Sequence, residues 1–277
     1  MMQEGLLSGL ESFGLGGLEG MSLFEDEKKK EQAKAVVELT EKDFLLDKSM
    51  TCPVCDAEFK ARMVKGGKAK LVGQDLDLRP KYKELDITKY DVVMCPQCGY
   101  TALQRYFPNT LEVQRKRIRE KICANFKPQK NFPETYTYDE AIERYKMALV
   151  NAIVKGAKAS EKAYICLKSS WVVRGKAEEL GEGHADYAKT KAMEAEFTKN
   201  AFEGFMAAVQ SENFPMCGMD EGAINYLLAV LGYKTDHLDI SQKMIATILQ
   251  SSTANPRMKD KARDLKEMVV AKIKAKG

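Results

Sequence analysis

From about residue 110 to the C-terminus, apolar residues recur at three- and four-residue intervals, the period of a helix with one buried face. Seven stretches carry this pattern: LEVQRKRIREKICANF, YDEAIERYKMALVNAIVKG, EKAYICLKSSWVVRGKAEEL, YAKTKAMEAEFTKNAFEGFMAAVQ, DEGAINYLLAVLGY, ISQKMIATILQ and MKDKARDLKEMVVAKIKA. Prolines and glycines separate them, among them Gly156, Gly181, Pro215 and Pro256. Only helices are expected there. Between 49 and 107 the runs are shorter. ARMVKGGKAKLV sets two of them around Gly66 and Gly67, which predicts a hairpin, and YDVVMC at 90–95 predicts a strand. Over 1–24, Leu6, Leu10 and Phe13 have helical spacing, but Gly5, Gly9, Gly14, Gly16 and Gly17 oppose a long helix. A loosely ordered arm is expected, followed by a charged linker helix at 25–38.

The helical half repeats itself. Ala141, Tyr145 and Ala148 place two small residues and a large ring on one face; Ala201, Phe205 and Ala208 do so again, and Ser241, Ile245 and Ile248 do so more faintly. This spacing looks like the second helix of a tetratricopeptide unit. The offsets of 60 and 40 residues exceed the ideal of about 34, so longer helices are expected. Tyr164, Leu167 and Trp171 form the inward stripe of an intervening helix.

A 277-residue chain with 44% hydrophobic content buries about three quarters of its unfolded surface and needs no staples to fold. No apolar run reaches the roughly 18 residues of a membrane span. The N-terminus carries Glu4, Glu11 and Glu19 where a signal peptide would carry Lys or Arg. Seven cysteines, an odd number, with four of them in C-x-x-C pairs, suit a reducing compartment, so a cytoplasmic protein is expected. The net charge of +4 is uneven: −5 over 1–48, +8 over 49–132 and +1 over 133–277. The cysteine segment is the basic one.

Those pairs, Cys52 with Cys55 and Cys95 with Cys98, form C-x2-C-x39-C-x2-C. The i, i+3 spacing lets a tight turn present two thiolates to one ion, with backbone N–H groups donating to sulfur. The turn favours a residue that accepts positive φ after the second cysteine, a role open to Asp56 and Gly99. Phe59 and Tyr100 are placed to cover the sulfurs. Four thiolates close a tetrahedral shell, so structural zinc is expected. The nearby basic residues are then either a phosphate-binding footprint or the compensating surroundings of a doubly negative centre. A C-P-x-C redox site would be single and set in a βαβ pattern that is missing here, and an iron–sulfur cluster is the other chemistry these ligands allow. Cys123, Cys166 and Cys217 are single and read as small core residues; His184 and His237 read as surface or capping residues.

GQDLDLRPKY at 73–82 alternates Asp75, Asp77 and Arg79 with leucines, which in an extended segment puts three polar groups on one face. An internal Asp–Arg pair with turn chemistry before Pro80 is the favoured reading. Taken with C-P-V-C, Y-D-V-V-M-C-P-Q-C-G-Y, the Ala/Tyr helix and Trp171-x-x-Arg174, this stretch resembles a bacterial family, domain of unknown function 2225, over roughly residues 45–260. The resemblance implies a zinc-ribbon-like part fused to tetratricopeptide-like helices, and no particular activity.

The expected fold class is α+β. It comprises an arm and linker over 1–48, a small β-rich zinc-ribbon-like module over 49–108 and an all-α tetratricopeptide-like domain over 109–277. The expected function is a non-enzymatic zinc-binding protein whose helical surface takes a protein or peptide partner. The alternative is a nucleic-acid-binding zinc ribbon using RKRIREK at 115–121. An enzyme has only Asp75, Asp77 and Arg79 as candidates and ranks last.

Overall fold

The computed structural model describes residues 39–129 and 133–276, so the predicted arm and linker helix lie outside the described residues. A 3₁₀ turn, Glu41–Phe44, leads into β1 (Leu45–Thr51), which pairs antiparallel with β2 (Glu58–Val64), Leu45 opposite Val64 and Thr51 opposite Glu58. The second pair is β3 (Leu71–Gln74) with β4 (Pro80–Tyr82). After a 3₁₀ turn at Ile87–Tyr90, β5 (Val92–Met94) pairs with β6 (Thr101–Leu103). Each C-x-x-C sequence is thus the loop of a two-stranded sheet, and DLDLR is the loop of the third.

The strand predicted at 90–95 is present, but the hairpin predicted around Gly66 and Gly67 is not: β2 pairs back with β1, and β3 pairs forward with β4. The reason is burial. β2 turns Ala61 and Met63 into the core, whereas all of β3 is exposed, so the two runs have no common buried face.

Seven α-helices follow among the described residues: α1 (Glu112–Ile118), which continues as a π-helical turn at Arg119–Cys123, α2 (Tyr138–Lys155), α3 (Ala159–Leu180), α4 (Tyr187–Ser211), α5 (Glu221–Lys234), α6 (Leu238–Gln250) and α7 (Pro256–Lys274). Local chemistry sets their ends. Thr137 and Glu140 cap α2 reciprocally, and Gly156, at φ 70°, ends it. Asp220 caps α5 through Ala223 N–H, and Asn255 caps α7 ahead of Pro256.

From α2 onward each helix packs on its sequence neighbour. The nine residues of the three repeated stripes, on α2, α4 and α6, are all buried. On α3, Leu167 and Trp171 meet Phe205 of α4 and Leu227 and Leu231 of α5 in one core. Tyr226 and Val230 of α5 meet Ile245 of α6 and Leu265 of α7 in another. Burying each such side chain contributes roughly 1.5–3 kcal/mol.

The strands join the helices through α2. Its Ala141, Tyr145 and Ala148 enclose Val92 of β5 and Leu103 of β6, and the fully buried Tyr145 donates its hydroxyl proton to the Thr88 carbonyl at 2.9 Å. No helix among the described residues is long and apolar enough to cross a membrane.

Candidate metal centre

The two cysteine turns fold alike. In the first, Asp56 N–H donates to the Cys52 carbonyl at 2.9 Å and Cys52 N–H to the Ala57 carbonyl at 2.9 Å. In the second, Gly99 N–H donates to Cys95 at 3.0 Å and Cys95 N–H to Tyr100 at 2.9 Å. Asp56 and Gly99 both occupy the left-handed region, at φ 59° and 74°. Val54 N–H points at the Cys52 sulfur, 3.4 Å away. Extended backbone enters and leaves each loop, so the antiparallel ladders fix where both sulfurs of a pair emerge.

The four sulfurs converge: all lie within 4.8 Å of one another. The shortest separations cross between the loops, 3.6 Å from Cys52 to Cys98 and 3.7 Å from Cys55 to Cys95. Cys52, Cys95 and Cys98 are buried, and Cys55 lies at the surface. Four thiols this close cannot all ionise unaided. Hydrogen bonds from Cys52 and Cys98 hold the Cys95 thiol far below its ordinary value. Losing the next proton is correspondingly harder: Cys95 pushes Cys52 up to about 12, and Cys52 pushes Cys98 up as well. A single bound cation is what would let all four become ligands, so the donor set fits a metal ion.

Neighbouring residues fix the loops. Tyr100 is fully buried, donates to the Phe107 carbonyl at 3.1 Å and packs on the Phe107 ring; Phe59 meets the same ring edge-on. Arg119 reaches from the π-helical turn to the Val54 carbonyl at 2.9 Å, and Asn151 of α2 donates to the Gly99 carbonyl at 3.2 Å. Cys123, from the same π-helical turn, packs against the cysteine cluster, where burial raises its thiol. Its periodicity marked it as a core residue, and no pairing motif in the sequence announced its place beside the centre. Cys166 and Cys217 are buried elsewhere, and the Cys217 sulfur faces the Ser160 carbonyl at 3.2 Å.

Residues 75–79 form the turn favoured before Pro80, not an extended segment. Asp75 N–H bonds the Arg79 carbonyl and Leu78 has φ 69°, so the chain reverses tightly. Asp77, with no exposed surface, finds its cation on another element: Arg174 grips both carboxylate oxygens, and Lys234 approaches one at 2.6 Å. Arg79 bonds Asp86 at 2.8 Å and Glu178 at 2.9 Å, while its contact with Asp75 is 3.7 Å. Burial alone would raise the Asp77 carboxyl, but Arg174 and Lys234 bring it from 3.8 down to about 2. The predicted internal pair is present between Asp75 and Arg79, but the shorter ion pairs are long-range ones that fasten the β3–β4 turn to α3 and α5.

Residues 45–269 match a family described as an uncharacterized protein conserved in bacteria, DUF2225. No curated protein and no solved structure matches the chain. With most of its length matched, strands and helices alike, the chain belongs to this bacterial family.

Proposed function

We propose that this is a non-enzymatic, cytoplasmic zinc-binding protein in which one structural ion locks the strand pairs and the helices offer a surface to a protein or peptide partner. The observation that carries the metal assignment is the spacing of the sulfurs. A tetrahedral zinc ion with bonds of about 2.3 Å needs sulfurs about 3.8 Å apart. The short cross-loop separations are 3.6 and 3.7 Å. Four protein ligands leave no position for water or substrate, as in structural zinc sites. The tetratricopeptide-like reading rests on the buried stripes of α2, α4 and α6 and on the neighbour-to-neighbour packing, which in repeat proteins builds extended binding surfaces.

The basic helix lends little support to nucleic-acid binding. Arg115 bonds Thr110, Arg117 the Lys155 carbonyl and Arg119 the Val54 carbonyl, so three guanidinium groups are engaged within the fold. Asp75, Asp77 and Arg79 are likewise occupied in ion pairs that tie elements together.

Elemental analysis of freshly purified full-length protein tests the metal. We expect one zinc per chain, no visible absorption from an iron–sulfur cluster, and four thiols that react only after chelation or denaturation. Protein lacking stoichiometric metal, or with all four thiols reacting at once in the native state, would overturn the assignment. In-cell crosslinking with mass spectrometry tests the partner surface, with crosslinks expected from the helices.

A further inference from the structure

Where α3, α4 and the turn between α5 and α6 meet, the surface opens into a cavity of about 780 Å³, within the size range of small-molecule sites. Arg174, Lys191, Lys199 and Lys234 line it against a single carboxylate, Glu194. Arg174 and Lys191 both pair with Glu194, and Arg174 and Lys234 both pair with the buried Asp77. Asp75 also reaches Arg174 but is matched by Lys81 at 3.0 Å. The ion pairs behind the wall balance, Arg79 and Lys81 meeting Asp86 and Glu178 as well, and Lys199 lies 3.8 Å from Glu203; the cavity face is nonetheless positive, because of these carboxylates only Glu194 lines it.

Lys234 lines the cavity while its partner Asp77 does not. Among the described residues Asp77 is the one acceptor that its ammonium meets, leaving donors for the cavity. Burial, aided by the charge of Arg174, outweighs the attraction of Asp77, so Lys234 sits below its ordinary pKa. An anion beside it would restore the balance. The helix end does not oppose this, because the last carbonyls of α5 are occupied: Leu231 accepts from Thr235, Gly232 from His237 N–H and Tyr233 from Lys272. The Thr235 hydroxyl gives its proton to Leu231 at 2.8 Å, so it must accept from His237 Nδ1–H at 3.0 Å. The imidazole, stacked on Phe202 at 4.6 Å, is left with Nε2 as an acceptor suited to a ligand hydroxyl.

We propose that this cavity binds a small organic anion, with a phosphate or carboxylate head held by Lys234 and Lys191 and a hydroxyl-bearing body read by His237.

The test is titration calorimetry on the full chain with ribose 5-phosphate and with gluconate, which separate the two head groups, and with inorganic phosphate as the head alone. Saturable one-site binding of at least one organic anion is expected. Lys234→Gln should weaken it at least about tenfold. His237→Phe, which keeps the ring on Phe202, should weaken the organic anion but not inorganic phosphate. Lys116→Gln, on α1, should change nothing. If Lys234→Gln fails to fold, the more exposed Lys191→Gln carries the same expectation. No saturable binding of any probe up to about 10 mM, or binding equal in the cavity variants and wild type, overturns the proposal.

Discussion

Gly99 and Asp56 occupy equivalent places in the two cysteine loops, yet they differ in what they tolerate. A Cβ on Gly99 would land inside the ring of Phe126 as well as adopt positive φ, so two costs combine. Gly99→Ala is expected to cost roughly 1–3 kcal/mol and to speed metal loss to a chelator. Asp56→Gly relieves the same backbone conformation at an exposed position and is expected to keep the metal, with stability within about 1 kcal/mol of wild type. Equal metal loss in both variants would refute the asymmetry. The four clustered cysteines and both turn residues were legible in the sequence because spacing and φ preference are local properties. Cys123 was not legible, because its closeness to the centre depends on how α1 and its π-helical turn lie across the loops.

At the level of elements, the β3–β4 turn is held by charges that its own sequence does not contain. Its Asp77 carboxyl is depressed from 3.8 to about 2, so its ion pairs add stability in full above the unfolded value and lose it as pH falls from about 4 toward 2. Asp77→Asn is expected to flatten that part of the acid-unfolding profile, and a profile identical to wild type would contradict the assignment. Arg174→Met leaves the buried Asp77 with Lys234 as its cation and removes two of its hydrogen bonds, and is expected to cost about 1–3 kcal/mol in urea unfolding. The motif at 73–82 revealed the turn and its Asp75–Arg79 pair but not Arg174 and Lys234 on Asp77, because no local signal encodes a partner on a distant helix. The helix pattern fared better: caps, breakers and stripes are local, and the α3–α4 seam follows from small residues. A Cβ on Gly204 would come within 2.8 Å of the Ala163 Cβ, so Gly204→Val is expected to cost about 1–3 kcal/mol by forcing these helices apart.

For the molecule as a whole, the cysteine cluster and the helices meet at α2, which packs on β5 and β6 and bonds the Gly99 carbonyl through Asn151. Stripping the ion is therefore expected to raise amide exchange at 52–59 and 95–103 and, to a lesser degree, along the buried face of α2. Exchange in α5–α7, which form their own core, should stay unchanged. Uniform loss of protection would mean that the helices depend on the ion throughout. The packing also implies an order of assembly. Contacts between consecutive helices close over short stretches of chain, whereas Cys52 must find Cys98 across 46 residues. Local contacts form first and distant closures later. During refolding the far-ultraviolet helical signal should thus recover before the thiols become protected, as the proposed ion would be a late latch on a body that has already taken shape.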